Sequence, residues 1–114
     1  MELVNLTPHA VTITTAGGRT LEIPASGTVA RVATQEVDEE AMEILAGRMN
    51  PVLLITQTFG EVVGLPAPEE GKFFIVSALV RAACPGRYDL GSPARLVRDE
   101  QGRIVGCRAL EVNR

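Results

Sequence analysis

A chain of 114 residues, 46% hydrophobic and 22% charged, has room for one domain and enough apolar content to fold. That composition excludes a disordered tail, which needs lower hydrophobicity and higher net charge. The formal charge of −3 argues against a general nucleic-acid-coating protein, because those carry a basic footprint.

The charge is uneven. Residues 1–80 sum to −6 and residues 81–114 to +3, and of the eleven basic residues only Lys72 is lysine. An acidic body with an Arg-rich C-terminal third suits a small anionic ligand better than a long polyanion. The bland reading, Arg replacing Lys through base composition or growth temperature, stands beside it. Cys84 and Cys107 are too few for a disulfide framework and share no metal-ligand spacing, and His9 is the single histidine. No metal and no cofactor are expected. Met1–Asn5 lacks the basic start of a signal peptide, and the longest apolar run, 73–80, is far short of the roughly 20 residues that span a bilayer. The expectation is a cytoplasmic protein with reduced thiols and no membrane partner.

In chain order, Val11-Thr12-Ile13-Thr14 alternates as a half-buried strand does, Gly17-Gly18 supplies a turn, and Leu21-Glu22-Ile23 alternates again, so 10–24 reads as a hairpin. Pro24 to Gly27 turns the chain into a third strand, Thr28 to Ala33, where Arg31 shares a side with Val29 and Ala33. From Glu36 to Ala46 the period changes. Val37, Ala41, Ile44 and Leu45 form a helical stripe with acids opposite, ended by Gly47 and Arg48, which predicts a helix over 36–46. Val52 to Ile55 is an apolar run of strand length, Phe59 to Leu65 reads as another strand, and Pro66 to Gly71 as a loop.

Lys72 to Val76 is apolar on both faces, as in a central strand or in one with a face against a partner. Ser77 then caps a short helix over 77–84, which Pro85-Gly86 stops. Arg87 to Pro93 reads as a loop, and Asp99-Glu100-Gln101-Gly102 as the turn of a closing hairpin between 95–98 and 103–112. The predicted architecture is α+β: one β-rich domain over 1–114 with about six or seven mostly antiparallel strands and two short helices, 36–46 and 77–84.

Catalytic patterns are missing. His9 falls in a turn with Asn5 and Thr7, whose side chains suit local backbone bonds. No carboxylate pair has acid–base spacing, and the glycines match neither the phosphate loop nor the dinucleotide fingerprint. Anion recognition is better served. Ser77 stands where a strand becomes a helix, Arg81 follows at i+4, and Arg108 lies mid-strand beside Gly106 and Leu110. Arg suits this work because its planar fork binds phosphate through two N–H groups and stacks on aromatic faces. Arg108 on a sheet face is either a snorkelling residue or a ligand contact.

Six segments carry a resemblance: Asn5-Leu6-Thr7-Pro8-His9, 26–32, 59–66, 75–80, 87–90 and 98–108. In these the chain resembles a small family common in phages and prophages, which is similar to the Thoeris anti-defence sponge proteins. The predicted helix 36–46 departs from the pattern, and the loop at Ser92-Pro93-Ala94 is shorter. The resemblance implies a protein of the host bacterial cytoplasm that binds and sequesters a cyclic ADP-ribose isomer, with cyclic oligonucleotides as further ligands. It implies no catalysis, and a homo-oligomer, dimer or higher, with ligand sites between protomers. By position, the ligand-contacting arginines match Arg31 and Arg108, and the aromatic that stacks on adenine matches Phe74 or Tyr88. Two other functions remain open from the residues: a phage structural or accessory interaction module without small ligand, and a small nucleotide-processing enzyme.

Overall fold

The computed structural model describes residues 1–43 and 51–114, with side chains for 1–39 and 52–114. The described chain is β-rich. In order it forms β1 (Glu2–Asn5), β2 (Val11–Thr14), β3 (Thr20–Ile23), β4 (Arg31–Glu43), β5 (Pro51–Val63), β6 (Lys72–Ile75), α1 (Ala78–Ala83), β7 (Leu90–Arg98) and β8 (Ile104–Val112). It divides into two compact units, Met1–Arg31 with Val62–Arg114, and Val32–Glu61.

The larger unit holds a six-stranded sheet in the order β1-β6-β7-β8-β2-β3. The β2–β3 hairpin is as expected: Thr14 pairs with Thr20, and the Thr15 amide donates to Arg19 O at 2.7 Å. The closing hairpin also forms, with Asp99 Oδ1 accepting the amides of Gln101 and Arg103, each at 2.9 Å. The sheet is mixed, however, and not mostly antiparallel. β1–β6, β6–β7 and β2–β8 are parallel, whereas β2–β3 and β7–β8 are antiparallel. Parallel pairs join segments distant in sequence, so no turn signature announces them. An Asn5–Ala25 bridge brings the chain after β3 to the end of β1, so the sheet comes near to closing on itself.

Inside lie Leu6, Phe74, Ile75, Val76, Val80 and Leu90, each at most 2% exposed, while Ile13, Ile75 and Cys107 form a cluster flanked by Leu3, Val11, Ile23 and Leu110. The doubly apolar 72–76 segment is thus a central strand, lying between β1 and β7. Gly64 has φ +79°, and a Cβ there would overlap the Val29 carbonyl oxygen, so the chain passes at this point only as glycine.

Three further expectations are corrected. Residues 36–43 are strand, part of β4, and 44–46 lie outside the described residues. The acidic stripe fits a helix, but in the fold these residues pair with β5, whose Val52, Ile55, Thr56 and Thr58 favour strand, and pairing decides where propensity is weak. The two predicted strands around Thr58 are one, β5. Residues 90–93, read as loop, open β7. Pro93 is tolerated because β6 pairs only as far as Gly91, so its missing N–H falls beyond that ladder. β1 has no counterpart among the predicted strands, because Glu2-Leu3-Val4-Asn5 does not alternate apolar and polar residues. The helix over 77–84 is present as α1, with Ser77 Oγ accepting the Val80 amide at 3.2 Å and Cys84 as its C-cap.

In the smaller unit β4 and β5 form a two-stranded sheet. Thr58 Oγ1 donates to Gln35 O at 3.3 Å and Thr56 Oγ1 to Glu39 Oε1 at 2.9 Å, while Gly60 faces Ala33, so the strands run antiparallel. Gly60 fits because a Cβ there would sit only 3.4 Å from the Ala33 Cβ.

Candidate functional site

The Asn5-to-His9 segment proves to be a structural knot. Asn5 is 1% exposed and fully bonded: Nδ2 donates to His9 O at 2.8 Å and to Ile23 O at 3.0 Å, and Oδ1 accepts the Thr7 amide and hydroxyl at 2.9 and 2.6 Å. The expectation of local backbone bonding by Asn5 and Thr7 holds. His9 contributes its carbonyl, and its side chain is exposed.

Arg81 is committed to the fold in the same way. Its Nε donates to Ser92 Oγ at 2.8 Å and its Nη1 to Asn113 Oδ1 at 3.1 Å, while Nη2 lies 3.2 Å from Glu111 Oε2. Asn113 Nδ2 in turn donates to the carbonyls of Arg81, Cys84 and Arg87 at 2.9–3.1 Å. Together they tie the end of β8 to α1 and the turn after it. Arg81 is therefore spent on structure, and a ligand at this guanidinium would have to displace the buried Ser92, the half-buried Asn113 or the exposed Glu111. Ser77 is exposed, but its hydroxyl is used in the cap and α1 spans six residues. Sequence reasoning missed Asn113; a lone Asn near a chain end carries no pattern.

Of the two aromatic candidates, Phe74 is 2% exposed in the core and presents no face to a ligand. Tyr88 is 59% exposed. It borders an open depression of about 370 Å³, with Lys72, Phe73, Arg87 and Asp89 around it. That volume lies within the range of about 300–1,000 Å³ common for small-molecule sites. The rim is preorganised. Arg87 grips Asp89 through two parallel bonds, Nε–Oδ1 at 2.8 Å and Nη2–Oδ2 at 2.9 Å, and Nη2 also donates to Pro66 O at 3.0 Å. The Arg87 fork holds the Asp89 carboxyl below its ordinary pKa, and that bond raises Arg87 in return. Lys72 is raised by its hydrogen bond to Glu69, 3.1 Å away.

Arg31 opens β4 and Arg108 lies in the middle of β8; both are exposed. Among the described residues neither enters an ion pair or a side-chain hydrogen bond, in contrast to Arg81, Arg87, Arg98 and Arg103. The β7–β8 register pairs Ala94 with Ala109 and Leu96 with Cys107, so Arg95 and Arg108 are the residues between these two pairs on their strands. Arg95 is also the one non-glycine residue among those described with positive φ, at 51°. Gly106, beside Arg108, serves the fold: a Cβ there would lie 3.0 Å from Thr12 O, so glycine lets β2 lie close. The adjoining groove of Val11, Thr12, Pro93, Leu96 and Ile104 holds about 170 Å³, too little for a nucleotide.

The six sequence-derived candidates are therefore dispersed. Ser77 and Arg81 belong to α1 and its cap, Tyr88 to the open depression, Phe74 to the core, and Arg31 and Arg108 to exposed strand positions. Neither of these two cavities holds more than one of the six. Cys107 is buried and Cys84 half-buried, both as free thiols. Among the described residues no group of three or more His, Cys, Asp or Glu is placed to hold a metal, and no helix is long and apolar enough to cross a membrane. The chain matches no known family, no curated protein and no solved structure.

Proposed function

We propose that this chain binds and sequesters a small anionic nucleotide signal, of the cyclic ADP-ribose or cyclic oligonucleotide class, without cleaving it. The observation that carries the reading is the pair Arg95 and Arg108. Both are exposed and hold the positions between the Ala94–Ala109 and Leu96–Cys107 pairs of β7 and β8, and Arg95 carries the cost of a left-handed backbone. Two exposed guanidiniums without carboxylate partners in the described chain make a seat for a phosphate, which would accept both forks. Arg31 and Tyr88 supply a third cation and an exposed ring for a base. The dispersal of the candidates fits a site completed by a second protomer, in a homo-oligomer working in the host cytoplasm. A sponge needs tight binding and slow release, and no reacting group.

The test is calorimetry of the purified protein with cyclic ADP-ribose isomers and cyclic oligonucleotides, followed by heat release of the ligand. Unaltered ligand supports sequestration, and a converted product would mean an enzyme. Arg108→Ala and Arg95→Ala should each weaken binding by about ten- to a hundredfold, the factor expected for losing a charge-assisted bond of about 1.5–3 kcal/mol. No binding to any of these ligands would transfer the assignment to a phage structural or accessory interaction module. That second reading is favoured by the exposed apolar residues of β5.

A further inference from the structure

The strand β5 combines three properties that do not belong together on a free edge. It is long, at 13 residues. From Pro51 to Gly60 it carries no charge. It is also open to solvent: Val52, Leu53, Ile55 and Phe59 are 40–58% exposed. One edge of β5 pairs with β4, and among the described residues the other edge pairs with nothing. Unpaired edges template further strands, and natural sheets blunt them with charge, proline or shortness. β4 follows that rule, with Glu36, Asp38, Glu39, Glu40 and Glu43 along its length. β5 does not. A two-stranded sheet is also marginal in water, and a third strand is the usual remedy.

We infer that the free edge of β5 pairs with β5 of a second copy of this chain, giving a four-stranded sheet in the order β4-β5-β5-β4. The distribution of charge selects this occupant and this arrangement. The uncharged stretch from Pro51 to Gly60 meets its own copy without like-charge repulsion, and β5 carries one acid, Glu61, whereas joining two β4 edges would bring ten carboxylates together. Placing the two β5 strands at the centre leaves the acidic strands outermost, where they are farthest apart and hydrated. The pairing is two-fold symmetric, the commonest form of homodimer. It stands independently of any nucleotide ligand, because it rests on the edge alone.

The experiment is light scattering and sedimentation of the full chain across a micromolar concentration series. The expected result is a species of twice the chain mass that Gln57→Lys dissociates, raising the dissociation constant about tenfold or more. Gln57 is exposed, mid-strand and already polar, so this variant keeps the apolar composition of β5. Gln57→Glu should dissociate the dimer likewise, and mixing the Lys and Glu variants should restore association as a heterodimer. Circular dichroism confirms that each variant is folded. A monomer throughout overturns the inference, as does an oligomer indifferent to both Gln57 variants. So does dissociation by Ile104→Lys, which alters an exposed residue of β8 instead.

Discussion

The six-stranded sheet and the β4–β5 sheet solve the same problem by opposite means. The first buries nine hydrophobic residues and closes its polar seams with side chains that bond several backbone groups at once, Asn5 at one seam and Asn113 at another. The second has longer strands yet leaves most of its described side chains in water, and among the described residues its cross-strand side-chain bonds are an exposed threonine to a carbonyl and another to a carboxylate. Length of strand is therefore no measure of stability. What separates the two is whether a second layer or a further strand covers the face.

The largest effect should separate the two phenylalanines. Phe74→Ala removes a ring that is 2% exposed and should cost about 3–5 kcal/mol in urea unfolding, while Phe59→Ala, 42% exposed, should cost under about 1 kcal/mol. Equal losses would mean that Phe59 is buried in solution. Next comes Asn113→Ala, which strips the shared donor from three carbonyls and should cost about 1–3 kcal/mol. It should also loosen α1, read as faster amide exchange at Arg81 and Cys84. The same change in rate across β5 would show that the two sheets unfold together.

A smaller effect is expected from pH. The Asp89 carboxyl titrates below its unfolded value because of Arg87, so its contribution to stability is complete above about pH 4 and is lost as pH falls through the lowered folded pKa. The chain should lose stability more steeply in acid than Asp89→Asn does, since the variant has no carboxylate there to protonate. Parallel acid profiles would remove the Arg87–Asp89 pair from the list of stabilising contacts. Smallest of all, Arg108→Ala and Arg31→Ala should leave the unfolding midpoint within about 0.5 kcal/mol of the parent, as exposed positions without partners do. A large loss of stability at either would show that the residue supports the fold.

The two sheets also differ in how far the sequence foretells them. Val11 to Ile23 and 95–112 were legible because alternation and turn residues lie within a few positions of each other. Ser77 announced α1 by the same local logic. At 36–43 local logic failed: Glu, Ala and Met favour helix, the apolar spacing suits one, and nothing nearby reveals that β5 is the partner. Phe74 shows the same limit in the candidate site, since an aromatic on an apolar strand reads equally well as core or as a stacking platform. Arg81 and Arg108 looked alike in the sequence, each a cation beside small or apolar neighbours. Only the positions of Ser92, Glu111 and Asn113 made one a clamp and left the other exposed.

By itself, then, the amino-acid order determined a β-rich chain, the hairpins, the cap of α1, the uncharged stretch of β5 and the concentration of Arg after residue 80. These follow from short-range sterics, turn chemistry and composition. The tertiary structure alone decided the parallel pairings, the strand at 36–43, the burial of Phe74, and which arginines are bound. Each of those depends on partners tens of residues away, brought together when a mixed sheet buries its core, and no local period records them.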